Sequence, residues 1–257
     1  MGECQSYLES VLNKHNLDEG EVERIKNIRK EIQNGFESQY GSKIEKVIYS
    51  GSYAKKTAID LKYDIDLCIY FKKDAFSTLS GMYEDVYNFL EKNYGKYNPE
   101  KQNVSLRLDL KDGRSIDVVP ARSFEDGTDD ANLYSSRNKS SIKTNIRKHV
   151  DYIGESEARP VIKLMKIWKY RHGIHFKSFA LELLIIKALE NCNSKDYSDQ
   201  VLHVLRFIKD NIMTVKLIDP ANSNNIVSDQ IDITDKQNMQ NQALSSLNKA
   251  YWSNIIW

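Results

Sequence analysis

The order of apolar and polar positions divides the chain into helix-like and strand-like stretches. From Asp18 to Tyr40, Val22, Ile25, Ile28, Ile32 and Phe36 recur at three- and four-residue spacing. This predicts one helix, capped by Asp18 with Glu21 three residues on. Lys46–Ser50 (KVIYS) and Leu67–Phe71 (LCIYF) are short β-rich runs that predict strands, the first stopping at Gly51-Ser52. Between the second run and the next β signal, Ser77–Tyr94 carries Leu79, Met82, Tyr83, Val86, Phe89 and Leu90 at helical spacing, closed by Gly95 and Pro99.

Val104–Val119 (VSLRLDLKDGRSIDVV) holds two alternating runs around Asp112-Gly113, a strong hairpin signal. A two-residue loop would pair Leu108 with Asp117 and mix apolar with charged side chains on both faces. A three-residue loop, Lys111-Asp112-Gly113 with Gly113 left-handed, pairs Leu108 with Ile116 and Leu106 with Val118. The second register sorts the faces: one is apolar, and the other carries Arg107 opposite Asp117. After Pro120 the β signal ends. Helices are predicted over Ile142–Ile153, Arg159–Tyr170, Ser178–Asn191, Ser198–Ile212 and Asp235–Trp257, with a loop between Asp219 and Gln230. The expected fold class is α/β of the α+β kind. A small mixed-sheet lobe with helices (residues 1–134) precedes a C-terminal helical lobe (135–257), with the functional site in the cleft between them.

Composition narrows the class further. At 257 residues with 40% hydrophobic positions, the chain buries about 70–75% of its unfolded surface and needs no disulfide or structural metal to make a core. Cys4, Cys68 and Cys192 are odd in number and form no C-x-x-C pair, which points to a reducing cytoplasm and against a cysteine zinc site. No apolar run approaches the ~20 residues that span a bilayer. Charges balance, 37 Lys+Arg against 36 Asp+Glu, so bulk electrostatic binding of nucleic acid is excluded. A local cluster remains: Arg137, Lys139, Lys143, Arg147 and Lys148, followed by Arg159, Lys163, Lys166, Lys169, Arg171 and Lys177, reads as phosphate-facing or as solvated helix faces.

Asp64 and Asp66 lie two apart at a strand start, so both carboxylates emerge on one face, opposite Leu67, Ile69 and Phe71. By themselves the pair reads either as two exposed acids at a strand end or as ligands of a hard divalent cation that relieves the crowding, and Asp117 on a second strand brings the acids to the number that a two-metal phosphoryl-transfer site needs. The sequence lacks the Gly and Glu that a calcium loop requires. Gly51-Ser52 offers backbone amides and a hydroxyl to a phosphate. His172 and His175 read as surface residues, Trp168 as core, and Arg107 as the neutraliser of Asp117.

Gly-Ser, then Asp-x-Asp, then a single Asp on a later strand resembles the polymerase-β-like nucleotidyltransferase superfamily. GSYAKKTAIDLKYDIDLCIYF and SIDVVPA are similar to the corresponding stretches of oligoadenylate synthetases and cyclic GMP-AMP synthases. IKLMKIW followed by KSFALELL is similar to the family's triphosphate-lysine helix and Ser-aromatic pair, and IDPANSNNIV to an Asp-Pro loop with paired Asn. The resemblance implies a bacterial cyclic-oligonucleotide synthase of anti-phage signalling, cytoplasmic, that joins NTPs with release of pyrophosphate. Asp64, Asp66 and Asp117 would be catalytic and hold two Mg2+ ions, or Mn2+ in their place. Gly51, Ser52, Lys166 and Ser178 would hold the triphosphate, and Phe179 would stack on a base. From the residues alone, Lys166 also reads as a solvated lysine and Phe179 as core. Implied partners are NTPs, ATP among them, and a regulatory protein or nucleic-acid activator, with neither membrane nor zinc. Lys56 stands where the family has Gly. The rival enzyme reading moves a single nucleotide onto tRNA, a protein or a small molecule, and the non-enzyme reading is a nucleotide-sensing scaffold.

Overall fold

The structure is a computed structural model that describes residues 2–111 and 113–257. In chain order it contains α1 (Glu3–Lys14), α2 (Glu19–Tyr40), β1 (Ile44–Ser50), α3 (Gly51–Ala54), β2 (Ile65–Phe71), α4 (Leu79–Tyr94), β3 (Glu100–Lys101), β4 (Leu106–Asp109), β5 (Ser115–Ser123), β6 (Asp130–Ser135) and β7 (Ser140–Asn145). There follow α5 (Ile146–Gly154), α6 (Arg159–Arg171), α7 (Ser178–Leu189), α8 (Tyr197–Asn211), β8 (Ile218–Asp219), β9 (Asn222–Ile226) and α9 (Ile233–Leu247). These form two compact units. The sheet unit is Leu17–Lys55 with Tyr63–Asp151; the helical unit is made of residues up to Asn16, Lys56–Lys62 and Tyr152–Trp257. The division is thus not a single cut near residue 134. The sheet runs on through β6 and β7, and both α1 and the short segment ahead of the acid pair join the helical unit.

In the sheet unit the strands run β1-β2-β5-β4-β3, with β6 joined to β5 and β7 to β6. Only β2 and β5 pair in parallel among the described strands. The hairpin register agrees with the alternation argument: Leu108 opposes Ile116, Leu106 opposes Val118, and Arg107 opposes Asp117. Leu110 N–H donates to the Arg114 carbonyl at 2.8 Å, and Gly113 has φ +83°. Both fit a loop over residues 111–113, of which Asp112 lies outside the described residues.

Ile65, Leu67, Ile69, Phe71, Ile116, Val118, Leu106 and Leu108 fill one face of this sheet and are fully buried. Aromatic side chains from α2 and α4 complete that core, Phe36 meeting Phe89 edge-on and Tyr40 meeting Phe71. As expected, Asp18 caps α2 by accepting from Glu21 N–H at 2.7 Å. The opposite face is divided along its length. Cys68, Tyr70, Ala121, Ala131 and Leu133 form an apolar cluster at one end, and the acidic positions occupy the other.

The β signal does not end at Pro120. β5 continues to Ser123 and pairs with β6 and β7, which sequence reading assigned to loop and helix. Pro120 is tolerated because β5 changes partner there: β4 reaches Val118 and β6 begins at Ala121. By strand alternation the Pro120 nitrogen faces that gap, where no ladder bond is lost. SSIKTN offers one large apolar residue in six, too few to show a strand by pattern. The loop expected between Asp219 and Gln230 contains the β8–β9 hairpin, with Asp219 accepting from Ala221 N–H and Asn225 Nδ2.

In the helical unit, α1 and α6–α9 enclose a core that includes Leu8, Ile59, Trp168, Leu184 and Val204. No element was expected before Asp18. Yet α1 buries Gln5, Leu8 and Val11, a stripe too narrow to stand out in sequence. The Lys56–Lys62 segment is held by Ile59 in that core and by Asp60, whose N–H donates to the His15 carbonyl and whose carboxylate meets His15 Nδ1 at 2.7 Å. Trp168 is core as expected, its indole N–H donating to Ser246 Oγ.

Candidate active site

Strand alternation and register set out the acids as two rungs on the polar end of the sheet. The first rung is Ser50–Asp66–Asp117–Arg107, across β1, β2, β5 and β4. The second, one step on, places Asp64 beside Ser115 and Asp109. Ser115, fully buried, donates its hydroxyl to Asp64 Oδ1 at 2.7 Å. The pattern reading thus agrees on the face shared by Asp64, Asp66 and Asp117.

Gly51 follows β1 directly and has φ +62°. A Cβ there would lie 1.7 Å from Asp66 Oδ2, so only glycine lets the turn close over this carboxylate. Ser52 is half-buried in the short α3 turn that follows. Lys56 has φ +58°, the backbone state that favours glycine, and the lysine bears that strain in an exposed turn.

Asp117 Oδ1 is buried and has no hydrogen-bond partner among the described residues. Burial first, and the nearby Asp64 charge second, push its carboxyl up to about 6, against the pull of Arg107. Arg107, expected to neutralise Asp117, acts on it through its charge but makes its contact elsewhere: its Nε donates to Asp109 Oδ1 at 3.0 Å. Asp109 was not among the expected site residues, although its alternation with Arg107 places it on the same face.

Lys166 sits neither in solvent nor on an open phosphate-binding surface. It is 7% exposed, and its Nζ donates to Glu182 Oε1 at 2.6 Å, Thr57 Oγ1 at 2.8 Å and the Thr57 carbonyl at 3.2 Å. These three bonds use all the donors of an ammonium. The physical reason is its setting on α6, flanked by the buried Leu164, Met165, Ile167 and Trp168. Ser178 is exposed at the first position of α7, and Phe179 is half-buried against the helical core. Lys169, not singled out as a site residue, donates to the Phe176 carbonyl at 2.5 Å, with Ser178 Oγ 3.5 Å away. Burial, then the charges of Lys166 and Lys62, pull it down to about 8.

Much of the cationic run is neutralised locally: Lys143 by Asp130, Arg147 by Asp151, and Lys166 by Glu182. His172 is tied to the Ile255 carbonyl and Gln242, and exposed His175 to Asp235. Among the described residues no three His, Cys, Asp or Glu side chains stand grouped as a finished ion site. The donor set nevertheless fits a hard cation. It consists of carboxylate oxygens, one of them buried without a partner.

A Gly-Ser turn beside Asp66 and Asp117 on adjacent strands, with Asp64 just ahead of the first, is the arrangement expected of a nucleotidyltransferase. Residues 3–156 match the family of Second Messenger Oligonucleotide or Dinucleotide Synthetase (SMODS) domains, and the chain belongs to that family. It is a nucleotidyltransferase that makes second-messenger oligonucleotides. The chain is 26% identical over 256 residues to the cyclic AMP-AMP-AMP synthase of Escherichia coli strain MS 115-1, covering 89% of this chain and 79% of that protein. It is 26% identical over 174 residues to the CBASS oligonucleotide cyclase CdnC of E. coli strain KTE188, covering 60% of this chain and 54% of the cyclase. Its fold matches E. coli MS115-1 CdnC in complex with HORMA-deltaN at a TM-score of 0.77, with 20% identity and 96% and 90% of the two chains covered. The same CdnC with ATP matches at 0.75, with 20% identity over 95% and 90%. Among the described residues no helix is long and apolar enough to cross a membrane.

Proposed function

We propose that this chain joins NTPs, ATP among them, into a cyclic or short linear oligonucleotide with release of pyrophosphate, in the cytoplasm of a bacterium defending itself against phage. The observation that carries this reading is the shared face of Asp64, Asp66 and Asp117, with a buried Asp117 oxygen left open and Gly51 closed tightly over Asp66. Asp64, Asp66 and Asp117 would hold two Mg2+ ions, which when bound neutralise triphosphate charge and acidify an acceptor hydroxyl.

The remaining steps fall to the chain itself. Asp117 stands on the same face as the other two acids, one of its oxygens buried without a partner among the described residues, and would take the acceptor ribose proton. Ser115 fixes the Asp64 carboxylate in one orientation. Gly51 and Ser52 offer amides and a hydroxyl to phosphate oxygens, and Ser178 and Phe179 contact the nucleotide. Lys166 is left out of this set because its donors are already used. A regulatory protein is a further partner, as CdnC was solved with HORMA-deltaN.

The test is incubation of the purified chain with four labelled NTPs and Mg2+, followed by mass analysis. Cyclic or short linear oligonucleotides with matching pyrophosphate are expected. Product seen only when tRNA, a protein or a small-molecule acceptor is added would replace this reading with single-nucleotide transfer. No pyrophosphate under any NTP, metal or activator condition would leave a nucleotide-sensing scaffold.

A further inference from the structure

Arg107 lies directly across the strand pair from Asp117, at a spacing where opposite charges ordinarily meet. It bonds to Asp109, two residues along its own strand, and Asp117 Oδ1 stays buried without a partner among the described residues. Two carboxylates on one face therefore compete for one guanidinium, and the outer one holds it. We propose that Asp109 is a positioning residue which keeps Arg107 off Asp117 and so keeps the Asp117 carboxylate open to a divalent cation. This rests on the assignment of Asp117 as a metal ligand. A guanidinium docked there would occupy the same oxygens and cancel the charge that attracts the ion. The Arg107–Asp109 pair is well exposed, with 34% and 46% of the two side chains accessible, so it is a weak tether that one substitution releases. Released, Arg107 has two carboxylates opposite it, Asp117 on β5 and the exposed Glu100 on β3.

The test uses the full chain and Mn2+ alone, with free ion followed by electron paramagnetic resonance, in wild type, Asp109→Asn, Asp109→Asn with Arg107→Gln, and Asp117→Asn. Asp109→Asn is expected to weaken Mn2+ binding about tenfold, the scale of one charge-assisted contact, and the added Arg107→Gln to restore it to within about twofold. The double variant also restores net charge, so a crystal structure of Asp109→Asn is needed, and Arg107 is expected within hydrogen-bond reach of Asp117. Unchanged Mn2+ affinity in Asp109→Asn overturns the proposal, as does loss that Arg107→Gln fails to repair. A structure in which Arg107 stays in place or turns to Glu100 also overturns it. If Asp117→Asn binds Mn2+ as tightly as wild type, the metal assignment itself fails and this proposal with it. If Asp117→Asn weakens binding and Asp109→Asn does not, only the proposal falls.

Discussion

The two units treat buried charge in opposite ways. In the helical unit, Lys166, Glu182 and Thr57 are all nearly inaccessible, and the ammonium meets an acceptor with each of its three donors. In the sheet unit, acids share one face of adjacent strands, Arg107 is drawn aside to Asp109, and a buried oxygen of Asp117 has no partner among the described residues. A closed set of buried charges needs nothing from outside and acts as structure. An open set of like charges is tolerated only where something from outside completes it. The contrast separates residues that look alike in sequence, since Lys166 and Asp117 each stand as a charge among apolar neighbours.

The largest expected effect is at the open set. Asp64→Asn with Asp66→Asn should cut oligonucleotide synthesis by about a thousandfold or more, the rate equivalent of the several kcal/mol that bound metal supplies. The fold should survive, because mutual repulsion between the two acids is relieved. Product assays beside circular dichroism check both halves, and near-wild-type activity would remove the contrast.

At the closed set the effect should fall on stability. Glu182→Ala leaves Lys166 buried without its counter-charge and should cost about 3–5 kcal/mol in chemical denaturation. Replacing both members, Lys166→Met with Glu182→Leu, should recover most of that loss. A double variant as unstable as the single one would show that the node contributes more than mutual neutralisation.

The smallest effect concerns Lys169, which shares α6 with Lys166 and is only half-buried. Its folded-state value near 8 lies below the ordinary 10.5, mainly through burial, so the unfolded chain holds this proton more tightly. The penalty for the charge is therefore full below pH 8 and fades as pH rises toward 10.5, adding stability across that window. Lys169→Met should stabilise the protein at neutral pH and flatten the slope between pH 8 and 10.5, read from denaturation midpoints against wild type. An identical slope would show that Lys169 stays fully charged there.

Much of the sheet unit was legible in the chain. Period-two alternation decides that Asp64 and Asp66 share a face, and the apolar pairs Leu106–Val118 and Leu108–Ile116 select the register that puts Asp117 on the polar side. Gly51 and Gly113 were readable as turn positions for the same local reason. α1, β6 and β7 were not, because each carries too few apolar residues for its period to stand out. The burial of Lys166 had a signal, its place between Met165 and Ile167 in the largely apolar run VIKLMKIW, which the solvated and phosphate-binding readings both passed over.

What the chain determined by itself is which backbone positions share a face and in what register, since these follow from short-range geometry repeated along each strand. Tertiary structure alone decided which partner each charge takes. Arg107 has Asp109 along its strand, Asp117 across one ladder and Glu100 across the other, all compatible with the same sequence pattern. The choice among them depends on desolvation and on the summed field of neighbours from separate elements, and neither exists until those elements are packed.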